Sequence, residues 1–136
     1  MKKKSAYGHT KVSVGRTQEA IRKLLIKYGA RGCQFSEIFE PATIQLEFAK
    51  VVNDQPRTVR VRIPIAEGKS VEQTYRALYY WLKAQFEAVD FGLVSFEDIF
   101  LSHFGWMLPG GRMGTVGDMV RPLLGTQGYP ELTGGE

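Results

Sequence analysis

Residues 42–65 read ATIQLEFAKVVNDQPRTVRVRIPI, and this stretch decides the fold class. From Ala42 to Lys50 the residues alternate, with Ile44, Leu46 and Phe48 on one side and Thr43, Gln45 and Glu47 on the other. The return segment repeats the pattern: Val59, Val61, Ile63 and Ile65 alternate with Thr58, Arg60, Arg62 and Pro64. A period of two is that of a strand with one buried face. Val51 to Pro56, with Asn53-Asp54 inside it, supplies the turn residues of a hairpin. Arg60 and Arg62 then share the face opposite the core.

Working toward the N-terminus, Cys33 to Ile38 reads as a further strand, with Cys33 and Phe35 inward. Gly29 sits where a left-handed helix cap is wanted. The helix it closes is expected over Gln18 to Tyr28, capped by Thr17, with Ile21, Leu24, Leu25 and Tyr28 as its apolar stripe. Arg22, Lys23 and Lys27 fall off that stripe. Tyr7 to Val14 alternates again and predicts a first strand, preceded by a basic arm at residues 1–4. The polar sheet face would then show Tyr7, His9, Lys11, Gln34, Ser36, Thr43, Gln45, Thr58, Arg60 and Arg62.

Toward the C-terminus, Ser70-Val71-Glu72-Gln73 is a capping box. It opens a helix expected to end at Phe91, before Gly92, roughly 30 Å long at about 1.5 Å per residue. Its core stripe is Tyr75, Leu78, Leu82, Phe86 and Val89, and Ala77, Tyr79, Tyr80 and Trp81 widen the apolar surface beyond one sheet contact. Ser95 caps a short helix over Phe96 to Phe104 that brings Phe96, Ile99, Phe100 and Phe104 to cover part of the surplus. Leu108-Pro109-Gly110-Gly111 breaks the chain. One helical turn capped by Thr115 is expected before Pro122, and residues 125–136 read as a loose tail. The expectation is an α+β, two-layer domain over residues 5–124: a mainly antiparallel four-stranded sheet with helices on one face, in the order β-α-β-β-β-α-α.

Composition narrows the function. The 136 residues are 43% hydrophobic, 12% aromatic and 24% charged, which suits a folded soluble domain and not a disordered chain. No stretch approaches the roughly 18 apolar residues of a membrane helix, and no apolar segment follows the basic N-terminus as a signal peptide requires, so a cytoplasmic location is expected. The net charge of +4 is unevenly spread. Residues 1–31 carry nine Lys and Arg against Glu19 alone, and residues 84–136 carry Arg112 and Arg121 against seven carboxylates. Such asymmetry suits a polyanion partner.

Catalytic readings are weak. His9 and His103 have no second ligand at metal spacing, so no metal or other cofactor is expected. The single cysteine, Cys33, excludes an internal disulfide and fits a small core residue better than a nucleophile. Glu97 and Asp98 suit a helix start. The run from Gly110 to Gly117 lacks the preceding strand and the Lys-Ser or Lys-Thr of a phosphate loop. No enzyme is expected. Single-strand binding has better support, because it needs a basic surface with an aromatic for stacking. Lys11, Arg60 and Arg62 with Tyr7 would form the contact face, and Lys2, Lys3, Lys4, Arg22, Lys23 and Lys27 would extend the field. Tyr80 and Trp81 are the candidate interface residues of a homo-oligomer.

The segments Ala6-Tyr7-Gly8, Ile21-Arg22-Lys23-Leu24-Leu25, Tyr28-Gly29-Ala30, Arg60-Val61-Arg62-Ile63-Pro64-Ile65, Leu82 to Val89, Phe96 to Leu101 and Gly111 to Pro122, with its Gly-Thr-Val-Gly core, span most of the chain. In these the sequence resembles an uncharacterised family of small α+β proteins found in bacteriophages and prophages. The resemblance implies a phage setting in a bacterial host, where small basic proteins serve DNA replication or recombination, and it assigns no functional residue. The expected function is therefore non-catalytic binding of single-stranded DNA with little sequence preference, RNA fitting the same chemistry. The alternative is a protein-protein assembly or regulatory module acting through the aromatic long helix.

Overall fold

A computed structural model describes residues 13–125. The hairpin forms as its alternation requires. β2 (Ala42–Val52) and β3 (Gln55–Pro64) pair antiparallel, with Ile44 opposite Ile63, Leu46 opposite Val61 and Phe48 opposite Val59. Asn53 and Asp54, both at positive φ (52° and 63°), form the two-residue turn, a conformation that Asn and Asp tolerate better than other side chains. β1 (Gly32–Phe39) pairs antiparallel with the other edge of β2, giving the order β1-β2-β3.

The helix before β1 starts earlier than expected. α1 spans Val14–Lys27, and Ser13, not Thr17, is its N-cap, accepting from the Arg16 N–H at 3.2 Å. Thr17 is instead buried, with its hydroxyl unpaired among the described residues. Starting the helix one turn earlier lets Val14 and Thr17 extend the buried stripe of Ile21 and Leu25. Ser13 and Val14, expected to end a strand begun at Tyr7, are therefore the cap and first residue of α1, and residues 7–12 lie outside the described residues. Gly29, at φ 89°, reverses the chain as expected.

α2 (Val71–Phe91) has the expected limits, including the reciprocal Ser70–Gln73 capping box and Gly92 at φ 89°. Ser95 caps α3, but the α-helix covers only Phe96–Phe100 before tightening into a single 3₁₀ turn, Leu101–His103. The turn sets Phe104 in extended backbone, where it bridges to Val59 of β3. The break at Leu108–Gly111 is a hairpin connection that sequence reading missed. It joins β4 (Gly105–Met107) to β5 (Met113–Thr115), with Gly110 and Gly111 both at positive φ. Strands of three residues are too short for alternation to reveal. Thr115 then caps α4 (Val116–Leu124) in a capping box with Asp118. The helix runs through Pro122, which was expected to stop it. In the last turn the proline forfeits one hydrogen bond, to the Asp118 carbonyl, and the helix ends two residues later. The described residues are thus α+β, with four α-helices and two antiparallel sheets of three and two strands, and the segment expected to supply a fourth strand lies, but for Ser13 and Val14, outside them.

The core joins Ile44, Leu46, Phe48, Val59 and Val61 of the sheet to Ile21 and Leu25 of α1, to Tyr75, Leu78, Leu82 and Phe86 of α2, and to Phe96, Phe100 and Phe104. Phe48 meets Phe100 edge-on at 5.8 Å, and Phe86 stacks on Tyr28 at 4.7 Å. The short aromatic helix covers part of the surplus apolar surface of α2, as expected. Burial of a phenylalanine contributes about 1.5–3 kcal/mol relative to exposure, so this cluster carries much of the stability.

Candidate nucleic-acid interface

The register fixes which polar side chains meet. Gln34 lies opposite Glu47, which lies opposite Arg60, and Ser36 lies opposite Gln45, which lies opposite Arg62. The part of the expected polar face that falls within β1, β2 and β3 is therefore assembled, but its charges are engaged. Arg60 Nη2 reaches Glu47 Oε2 at 3.3 Å, and Arg60 Nη1 donates to the Met113 carbonyl at 3.4 Å. Arg62 Nε donates to Gln45 Oε1 at 3.1 Å, while its Nη1 lies 3.5 Å from Asp118 Oδ2. Gln45 closes the network by donating to Glu47 at 3.0 Å. The Arg60 side chain is only 17% exposed. The two arginines fasten the β4–β5 hairpin and α4 to the sheet.

Asp118 is the second anchor of this clamp. Burial alone would raise its carboxyl, but the Thr115 N–H, the Arg62 guanidinium, the Thr115 hydroxyl and Arg121 together outweigh that and hold its pKa below the usual aspartate value. His103 is fixed in the same region, its Nδ1 lying 3.2 Å from the Arg60 carbonyl. Among the described residues no cluster of three or more His, Cys, Asp or Glu converges as a metal site.

α1 presents the opposite case. With the helix beginning at Val14, Arg16, Lys23 and Lys27 recur at i, i+7 and i+11, a single helical stripe, and all three are exposed. Arg31 follows just beyond the helix, also exposed. None of these four is in an ion pair among the described residues. Lys27 lies over the Tyr28 ring at 5.4 Å. Arg22 is less available, since it pairs with Glu19 at 3.3 Å and lies over the Phe35 ring at 5.2 Å. Placing the cap at Thr17 left Arg16 outside the helix and hid the stripe. Lys50 was also unforeseen. It faces the helix side of β2, donates to the Tyr28 carbonyl and lies 5.4 Å from the centre of the Phe96 ring. A Cβ at Gly29 would stand 2.9 Å from the Lys50 ammonium and push it aside, while the φ of 89° itself favours glycine.

The interface candidates on α2 are partly engaged within the chain. Trp81 is 37% exposed and meets Phe100 and His103 edge-on at 6.0 and 5.9 Å. With Leu78, Ala77, Val61 and Ile63 it lines a cleft of about 340 Å³. Tyr80 accepts from Arg76 Nη2 at 2.9 Å, and the same guanidinium lies 4.7 Å from its ring centre. Lys2, Lys3, Lys4, Tyr7, His9 and Lys11 lie outside the described residues. Cys33 is half-buried beside the core and not within it. Among the described residues no helix is long and apolar enough to cross a membrane. Comparison with protein-family models, with curated proteins and with solved structures finds no match for the chain.

Proposed function

We propose that the chain is a non-catalytic binder of single-stranded DNA that holds the phosphate backbone along the exposed side of α1. The observation that carries this reading is the contrast in charge availability. Arg16, Lys23, Lys27 and Arg31 are exposed and, among the described residues, without carboxylate partners, whereas Arg60 and Arg62 are met by Glu47 and Asp118. Lys2, Lys3, Lys4 and Lys11 precede α1 directly in the chain and extend the same field, and Tyr7 supplies the stacking ring. Arg60 and Arg62 act as the clamp of the C-terminal hairpin and helix and not as phosphate contacts. The proposed setting is a phage-type one within a bacterial cell, in replication or recombination.

Fluorescence titration with oligo-dT at several salt concentrations tests the proposal. For single strands the slope of log K against log salt is about −0.7 per phosphate neutralised, so four α1 cations alone give roughly −3. Absence of binding at 50 mM salt overturns it. The assembly reading keeps one observation in its favour: Tyr80 and Trp81 remain 40% and 37% exposed on the same helix. It predicts a protein partner retained through nuclease treatment and high salt.

A further inference from the structure

One backbone pair at the edge of the sheet stands open inside a cleft. The Ile65 N–H donates to the Ala42 carbonyl at 2.9 Å, and with the register of β2 and β3 this turns the backbone groups of Thr58, Arg60, Arg62 and Pro64 away from β2. Most of that edge is taken. The Arg60 carbonyl lies 3.2 Å from His103 Nδ1, Phe104 bridges to Val59, and Pro64 has no N–H. Between these stops Arg62 offers both an N–H and a C=O, and among the described residues neither is bonded. Its side chain lies on the far face, held by Gln45 and Asp118, so what Arg62 turns toward the cleft between β3 and α2 is its main chain. The rest of the lining is Val61, Ile63, Ala77, Leu78, Trp81 and His103, around a volume of about 340 Å³.

We infer that this cleft receives one unpaired base of the bound strand, with the Watson–Crick edge of the base on the N–H and C=O of Arg62 and its ring against Trp81 and the apolar wall. The open edge selects this occupant. A peptide, a second copy or another segment of this chain that added a strand would need hydrogen-bonded pairs at alternate residues, and Arg60 and Pro64 are closed on either side. A base needs one residue only. All four bases carry an acceptor next to a donor on that edge: the N1 atom and amino group of adenine, the N3 atom and amino group of cytosine, O6 and the N1–H of guanine, O4 and the N3–H of thymine. The side chains of the wall carry no Lys, Asp or Glu, so a phosphate gains little there, and the volume lies at the small end of ligand pockets, suited to one ring system. Trp81, 37% exposed, supplies the aromatic surface on which a base stacks.

The inference rests on the single-strand reading above for the source of the base, and it supplies what the α1 cations lack. Phosphates attract those cations whether the strand is paired or not, whereas a duplex has its Watson–Crick edges already engaged. Because every base offers the same acceptor and donor, selection of single strands comes with little sequence preference. α1 borders β1 and the cleft borders β3, so a strand that reaches both crosses α2.

Oligo-dT and an oligomer of the same length built from N3-methylthymidine share their phosphates and differ in the donor that would face the Arg62 carbonyl. The methylated oligomer should bind at least about fivefold more weakly, with an unchanged salt slope. Ala77→Phe, a substitution at an exposed position that fills the cleft, should weaken oligo-dT binding to a similar degree and again leave the slope alone. In amide NMR spectra oligo-dT should shift the Arg62 N–H and the Trp81 indole, and thymidine alone should shift the same two signals. Equal affinity for the two oligomers overturns the inference and leaves the α1 reading standing. So does an Arg62 amide unmoved at saturation with oligo-dT, whether the cleft is empty or filled by another part of the chain. If thymidine shifts Arg62 while oligo-dT binds no more tightly than the nucleoside, the strand is not the source of the base, and both readings fall.

Discussion

The arginines of β3 and the cations of α1 look equivalent in the sequence, each being a set of basic residues at the spacing of one exposed face. In the folded chain they differ in what surrounds them. Arg60 and Arg62 stand one strand away from Glu47 and Gln45, with Arg60 also reaching β5 and Arg62 reaching α4, so each guanidinium is met before any ligand arrives. Arg16, Lys23 and Lys27 lie on a helix whose one carboxylate, Glu19, is already held by Arg22. A phosphate that displaces Glu47 from Arg60 must desolvate both partners for little net gain, whereas one that meets Lys23 displaces only water and counterions. Formal charge marks where a polyanion could bind, and the availability of that charge decides whether it does.

The sharpest way to break this contrast is reversal of the free set. Lys23→Glu/Lys27→Glu should weaken oligo-dT binding by more than about tenfold and shorten the salt slope by about 1.4, because two phosphate contacts are lost. Stability should change little, both residues being exposed. The reverse pattern is expected at the engaged set. Arg60→Met leaves Glu47 partly buried without its cation and frees the Met113 carbonyl, so thermal or urea unfolding should show a loss of about 1–2 kcal/mol. Oligo-dT affinity should stay within about twofold. If Arg60→Met weakens DNA binding as much as the α1 reversal does, the sheet face is the contact surface after all.

Gly29 gives a smaller effect on the α1 side. Its φ of 89° disfavours any side chain, and a Cβ there would also displace the Lys50 ammonium. Gly29→Ala should cost about 1 kcal/mol, read by urea unfolding. Adding Lys50→Met, which removes the bond to the Tyr28 carbonyl while the positive φ remains, should not recover the loss.

Much of the fold was legible, because long periodic segments and side-chain caps are local signals. The hairpin of β2 and β3, the Ser70 box, the Gly92 stop and the Ser95 cap each depend on residues close together in the chain. The site was less legible because availability depends on partners far away. Asp118 meets Arg62 across more than fifty residues, through a helix whose length was cut short by a rule about Pro122. The start of α1 failed for a different reason. Ser13 and Thr17 are both good caps, and the choice is made by burial of Thr17 and Val14 against the core, which the local pattern cannot weigh. The two-stranded hairpin escaped because three-residue strands show no period.

Asp118 offers a way to convert an engaged arginine into a free one. Asp118→Asn keeps a side-chain oxygen for the Thr115 N–H and removes the charge facing Arg62. It should raise oligo-dT affinity by a few fold and add about 0.7 to the magnitude of the salt slope, provided that neutralisation is what withholds Arg62. The cost in stability at neutral pH should be small, about 0.5–1 kcal/mol. Its pH dependence has a definite sign. The folded carboxyl titrates below its unfolded value of about 3.9, so the wild-type advantage is complete above that pH. It falls away as the pH drops through the lowered folded value, where the carboxyl is protonated in both states. Urea unfolding of the two proteins should therefore differ at pH 7 and 5 and converge as the pH falls below the unfolded carboxyl's value. A gap that widens toward acid would mean that Asp118 is not held as an anion, and an affinity unchanged by Asp118→Asn would mean that Arg62 is withheld by position and not by charge.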